Sequence, residues 1–334
     1  MGERTRTTLI TGASGFVGIA LTEALLARGC SVVGYDLSGP PEVARRAFGA
    51  LPGNYRFVQG DVLDEPALRA AMADADCQRL VTLAAITADA TREKAMPARI
   101  LAVNVGGAVA AVAAAAASGV RRVLHISSGA VYGASGRQAQ RLDEVSTPLR
   151  PEGLYGISKQ AAEAAVLRLA ELHDLDLLVG RLGTCFGPWE SDTGVRDTLS
   201  APLQVVQHML HGTEAVLPRP GRRDWLYVRD AAAALIALLE IEDQRANPNR
   251  IYNVAAGFEW SIAEWCATLA RIRPELRWRL ARQAEESTVD FYAPYDRASM
   301  DIHRLLRSTG FTPHFDMPAA AADYLSWLAV HEPR

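Results

Sequence analysis

A chain of 334 residues, 49% apolar and 22% charged, has material for a large core in one large or two unequal domains. Its net charge of −3 gives no basic footprint and excludes nucleic acid as a partner. The start of the chain is polar, the Ala-rich run 108–117 is too short to cross a bilayer, and Cys30, Cys77, Cys185 and Cys266 lack paired spacing. A cytoplasmic protein with reduced thiols, no membrane partner and no metal site is therefore expected. His208 and His211, three apart on a predicted helix, suggest no third ligand and read as a solvated face.

In chain order, Thr8–Ile10 reads as a short buried strand that breaks into glycines at 12, 15 and 18 and then into a helix carrying Leu21, Leu25 and Leu26. Such a turn binds a dinucleotide: one glycine permits the turn, one lets the backbone reach the pyrophosphate, and one lets helix and strand pack closely. Gly29 closes the helix as a left-handed cap, and Ser31–Asp36 follows as a strand ending in an acid 18 residues past Gly18. A carboxylate there takes the adenosine ribose hydroxyls. With no arginine beside it, NAD is expected over NADP.

Loop punctuation at 38–41 and 52–54 leads to a third strand, Tyr55–Gln59, closed by Gly60-Asp61, where Asp61 is either an adenine partner or a turn residue. Asp64 caps the next helix, with Pro66 near its start. Arg79–Leu83 is the fourth strand and ends in the small pair Ala84-Ala85. A helix over 97–118 contains Asn104 and stops at Gly119, and Val123–Ser127 is the fifth strand. This alternation predicts a doubly wound parallel sheet of the Rossmann kind over 1–183, with parts of 222–257 returning to it. A smaller C-terminal α/β substrate lobe over 184–334 takes in helices at 230–240, 261–270 (capped by Ser261 with Glu264), 301–306 and 319–328, with the C-terminal tryptophans as packing.

The chemistry is expected at the carboxyl end of the fifth strand. Ser128 stands there, and Tyr155 and Lys159, four apart, project from one face of a helix. Of 35 basic residues only Lys94 and Lys159 are lysines, so a lysine at this place is notable. An ammonium beside Tyr155 favours the phenolate, which can take a hydroxyl proton while Ser128 holds the same oxygen.

These motifs resemble the extended short-chain dehydrogenases/reductases of the NAD-dependent epimerase/dehydratase family. The resemblance runs over nearly the whole chain: TGASGFVG at 11–18, SSGAVYG at 127–133, YGISK at 155–159, Arg181 with Phe186-Gly187-Pro188, RRDWLYVRD at 222–230 and YNVAAG at 252–257. It implies Ser128, Tyr155 and Lys159 as catalytic residues. It also implies cofactor contacts from Gly12, Gly15, Phe16, Val17, Asp36, Asp61, Val62, Leu83, Ala84, Ala85, Asn104, Tyr155 and Lys159, and a homodimer through the helices near 97–118 and 155–173. Substrate contacts are expected from Ser128, Gly129, Thr184 and Arg223, while Arg196 in the 189–197 stretch would either bind a substrate carboxylate or pair with Asp192 or Asp197 in solvent.

Family dehydratases place Asp-Glu after the catalytic hydroxyl, whereas this chain has Gly129-Ala130, which argues against a 4,6-dehydratase. Thr184 replaces a common asparagine, Thr82 a common histidine, and a polar insertion occupies 189–197. Arg223 in the RDW motif favours a substrate diphosphate, so a carbohydrate substrate carried as a nucleotide sugar, and hence a sugar-nucleotide epimerase, is the leading expectation. An NAD-dependent sugar or sugar-acid dehydrogenase is the alternative. An NAD-sensing binding protein is the remote one.

Overall fold

The computed structural model describes residues 6–192, 199–283, 286–291 and 293–331. Its first half alternates strands and helices: β1 (Thr7–Thr11), α1 (Phe16–Ala27), β2 (Ser31–Asp36), α2 (Glu42–Gly49), β3 (Asn54–Gln59), α3 (Glu65–Asp74) and β4 (Arg79–Thr82). After a short helix α4 (Ala90–Ala95), α5 (Pro97–Leu101) passes through a π-helical turn, Ala102–Gly107, into α6 (Ala108–Ala117). β5 (Arg122–Ser128), α7 (Leu154–Leu172) and β6 (Asp176–Leu182) complete the repeat. The caps read from the sequence are in place: Asp64 accepts from Ala67 N (3.0 Å), and Gly29 and Gly119 take positive φ.

The second half contains β7 (Thr184–Phe186), α8 (Ala201–His211), β8 (Ala215–Leu217), β9 (Arg222–Arg223), β10 (Trp225–Tyr227), α9 (Val228–Glu240), β11 (Ile251–Val254), β12 (Trp260–Ser261), α10 (Ile262–Ile272), β13 (Trp278–Leu280), α11 (His303–Thr309) and α12 (Met317–His331). Seven strands form one parallel sheet in the order β11-β6-β5-β4-β1-β2-β3. The order reverses between β1 and β4, which opens a crevice at their carboxyl ends.

Each face of the sheet buries its own apolar cluster. One joins α1, α2 and α9 through residues such as Leu21, Leu25, Phe48 and Leu235, and the other joins α3, α6 and α7 through Leu68, Val112 and Val166. A third cluster, around Phe186, Trp260 and Trp265, is built from the second half.

Three expectations are corrected. Helix 230–240 was assigned to the substrate lobe, but as α9 it lies on the sheet against α1, because Ala231, Leu235 and Leu238 share a core with Leu21 and Leu25. The helix expected at 301–306 forms at His303–Thr309 and also packs on α9 and β11. The run through 97–117 is one helical stretch of 21 residues, long and apolar enough by composition to cross a membrane, and half of it is buried within the protein beside α3 and α7.

Arg122 at the start of β5 locks the rim of the sheet. It donates to Asp176 (2.7 Å) and to the carbonyls of Leu238 and Glu242 (both 3.0 Å), so β5, β6 and the end of α9 share one buried cation. Arg122→Met leaves the Asp176 carboxylate buried without its partner and is expected to cost about 3–5 kcal/mol, read from the urea midpoint. Adding Asp176→Asn should restore part of that loss.

Candidate active site

The glycine turn is held between its two neighbouring strands. Gly12 N donates to Tyr35 O (3.0 Å) and Leu83 N to Thr11 O (3.1 Å). Gly12 has φ +71°, and a Cβ there would lie 2.6 Å from Ala84 N; a Cβ on Gly18 would lie 2.3 Å from Gly12 O. Gly15 is the open one, where a Cβ would meet only Gly12 O at 3.3 Å and otherwise project into the crevice. Two glycines thus close the turn and the third leaves room for a ligand. No side chain caps the first turn of α1 and no acid stands in it, so the helix presents its positive end there.

Asp36 at the end of β2 accepts from Ser14 N (3.0 Å) and Leu37 N (2.7 Å), which aims the carboxylate across the mouth of the turn. Burial raises its pKa while these two N–H groups oppose the rise. Asp61 accepts from Leu63 N (3.0 Å) and Arg99 (3.1 Å), and Val62 packs against Gly107 of the π-turn. These residues fit a dinucleotide with a free 2′-hydroxyl, because Asp36 would repel a 2′-phosphate.

Asn104 is buried with both amide hydrogens engaged, one to Ile86 O (3.0 Å) and one to Ser158 Oγ (2.9 Å), while its oxygen takes Ile86 N (2.8 Å). Ser158 Oγ in turn donates to Tyr155 O (2.8 Å). The π-turn therefore fastens the 84–86 loop to the first turn of α7.

Ser128 ends β5 and caps the turn that follows, accepting from Ala130 N (3.1 Å). Gly156 is what lets α7 approach that turn: a Cβ there would lie 2.7 Å from Ala130 O. Tyr155 is half-buried beside it. One helical turn on, Lys159 is buried and donates to Ile126 O (2.8 Å), while the chain's other lysine, Lys94, is exposed. Burial pulls the Lys159 pKa down to about 8, and Glu163 opposes this.

Glu163, a further turn on, pairs with Arg181 of β6 (2.8 Å) and also accepts from Ser127. Arg181 reaches the Tyr132 hydroxyl (3.1 Å), which donates to Asn253 of β11 (2.8 Å). Sequence reasoning singled out Arg181 only through its motif and missed Glu163; the i, i+4, i+8 spacing of Tyr155, Lys159 and Glu163 was the available signal.

On the opposite side Arg223 donates to Thr184 (3.4 Å) and lies over the Trp225 ring at 5.7 Å, so two of the expected substrate residues meet. A cavity beside them is lined by Arg219, Gly221, Arg222, Arg223, Trp225 and Phe291. The next residue, Asp224, was missed although it stands in the same motif. It is buried and accepts from Ala256 N (2.9 Å), Gly257 N (3.3 Å) and Met300 N (3.1 Å).

Trp189, the first residue of the polar insertion, is buried against α1, donating to Glu23 (3.0 Å) and packing on Trp327. Glu190 accepts from Ser200 N (2.8 Å) and so joins the two ends of the insertion. Arg196 lies outside the described residues.

Thr82, where a histidine was the common choice, contacts a buried histidine instead: His125 of β5, at 2.8 Å. Burial and the Lys159 charge lower the His125 pKa to about 3. The unfolded chain therefore binds this proton below about pH 6.5 while the folded one does not until about pH 3, so stability is lost as pH falls through that window. His125→Gln should flatten the fall in stability between pH 6.5 and 4.5 by up to about 1.4 kcal/mol per pH unit, measured by urea titration at each pH.

Residues 8–255 match the NAD dependent epimerase/dehydratase family, and the chain belongs to it. It is 28% identical to a dTDP-glucose 4,6-dehydratase of Streptomyces griseus, over 97% of this chain and 94% of that protein. It is 30% identical to a UDP-glucose 4-epimerase of Mycolicibacterium smegmatis, over 79% and 81%. In fold it matches a UDP-glucose-4-epimerase of Stenotrophomonas maltophila, solved with bound NAD and formylated UDP-arabinopyranose, with TM-score 0.81 and 21% identity over 97% and 98%. The protein is an NAD-dependent enzyme of this family.

Proposed function

We propose that the chain is a sugar-nucleotide epimerase that inverts a carbinol carbon of its sugar. The observation that carries this is the seating of Gly156 on Ala130, which brings Tyr155 to the Ser128 turn with Lys159 one helical turn behind. NAD would be held by Gly12, Gly15, Phe16, Val17, Asp36, Asp61, Val62 and Leu83–Ala85, and when bound would supply the hydride acceptor and donor.

Tyr155 as phenolate takes the proton of the reacting hydroxyl and later returns it. Lys159 stabilises that phenolate, and Ser128 donates a hydrogen bond to the same oxygen. Asn104 acts by positioning, through the 84–86 loop and Ser158.

Inversion requires that the oxidised ring stay bound and turn, which an anchor remote from the ring allows. Arg223 with Thr184, beside the arginines and aromatics of the neighbouring cavity, suits a nucleoside diphosphate. The relatives named above are described as acting on dTDP- and UDP-linked sugars, which favours the same handle. Gly129-Ala130 offers no acid–base pair to expel water, so dehydration is not supported.

Incubation with NAD+ and a panel of UDP-, GDP- and dTDP-sugars beside free aldoses and uronates tests this. An isomer from at least one nucleotide sugar without net NADH is expected, and stoichiometric NADH from a free sugar would overturn it. Tyr155→Phe should lower kcat by about 10²-fold or more with NAD binding nearly unchanged, because it removes the proton acceptor and little volume.

We further propose a homodimer through α5–α7, whose outer surface exposes Leu101, Ile157 and Leu172. Sedimentation at micromolar concentration should give the dimer mass; a monomer would refute it.

A further inference from the structure

Residues 297–301 cross the carboxyl end of the sheet as a fastened strap. Ala298 N donates to Gly136 O (2.9 Å), Leu142 N to Ser299 O (2.8 Å) and Asp301 N to Leu142 O (2.8 Å). From below, Asp224 takes Met300 N (3.1 Å) and Glu259 takes Ser299 N (2.9 Å). The strap lies on the turn that follows Ser128, and two glycines of that turn make way for it. A Cβ on Gly129 would lie 3.0 Å from Met300 Sδ, and one on Gly136 would lie 2.7 Å from Arg297 Cγ.

The strap delivers a guanidinium to the site. Arg297 donates to the Gly129 carbonyl, one residue from the Ser128 hydroxyl. Its Nε is sealed from solvent without a hydrogen-bond partner, and among the described residues no carboxylate pairs with Arg297. The neighbouring acids are engaged elsewhere: Asp296 with Arg219, and Glu152 with Arg137 and Tyr295. Arg297 is half-buried, and with its Nε enclosed and one amino group on a carbonyl its guanidinium keeps donor capacity that an anion can use. Beside Ser128, where a dehydratase would carry two acids, this protein has small residues and a half-buried cation without a carboxylate partner among the described residues.

We propose that Arg297 is the specificity-determining residue for an anionic substituent on the reacting sugar, so that the substrate class is a nucleotide-linked hexuronate. This rests on the epimerase reading above. The diphosphate has its own candidate partners in Arg223 and Thr184, so the anion beside Ser128 belongs to the ring whose hydroxyl Ser128 meets. A carboxylate matches the planar fork of the guanidinium, and a neutral hexose leaves it unpaired.

The test is equilibrium binding to the NAD+-loaded Tyr155→Phe protein, which holds substrate without turning it over. UDP-glucuronate and UDP-galacturonate are compared with UDP-glucose and UDP-galactose. The uronates should bind about 10- to 100-fold more tightly than the hexoses. Adding Arg297→Gln should erase that preference by weakening the uronates alone, and Arg297→Lys should keep part of it.

Equal binding of the two sugar classes with Arg297 present, no binding of either uronate, or an equal loss for both classes in Arg297→Gln would overturn the proposal. The first two outcomes need no Arg297 variant to fold. Failure of the epimerase reading would appear instead in the wild-type turnover panel, as the absence of any isomer.

Discussion

The buried pair between Glu163 and Arg181 is the interaction on which the site geometry depends. Both side chains are almost fully buried, and an unpaired charge at either position would be strongly destabilising. The pair ties α7 to β6, and through Ser127, Tyr132 and Asn253 it extends to β5, the turn after Ser128 and β11. Because Tyr155, Lys159 and Glu163 share one face of α7, fixing the third fixes the direction of the other two. A rigid element supported from behind is what proton transfer over a single hydrogen-bond length requires.

The same network sets the charge balance at the catalytic helix. Lys159 is held in an apolar place that pulls its pKa down, and the Glu163 charge a turn away limits the fall. His125, beneath the same strand end, stays neutral because burial and the lysine both oppose its protonation. The buried positive charge one helical turn from Tyr155 is therefore that of Lys159 rather than of an imidazolium, and a cation there favours the phenolate. At the other end of the site, Asp224 fastens the chain's return from the second half to the Rossmann sheet and sets the strap above Ser128.

Much of the fold was legible because parallel sheets carry strong signals: buried runs ending in Gly, Asp or Ser, with helices between them. The glycine turn could be assigned role by role, and the structure gives Gly12, Gly15 and Gly18 the separate environments those roles need. Membership of the second half was harder to read. The helix Val228–Glu240 has an apolar stripe suited to either core, and only the return of β11 to the sheet decides which one it joins. The burial of Trp189 was not legible because an aromatic among polar residues looks like a loop until Glu23 and Trp327, distant in sequence, are seen beside it. Asp224 and Arg297 escaped notice for the same reason: their partners are backbone groups from segments far along the chain, which no local pattern announces.

The most direct test of the central claim follows the hydrogen on the reacting carbon. A nucleotide sugar deuterated at that carbinol position, turned over in ordinary water, should give an isomeric product that keeps the deuterium on the same carbon, with a slower rate than the unlabelled substrate. Loss of the deuterium to solvent, or its recovery in released reduced nicotinamide, would contradict the account.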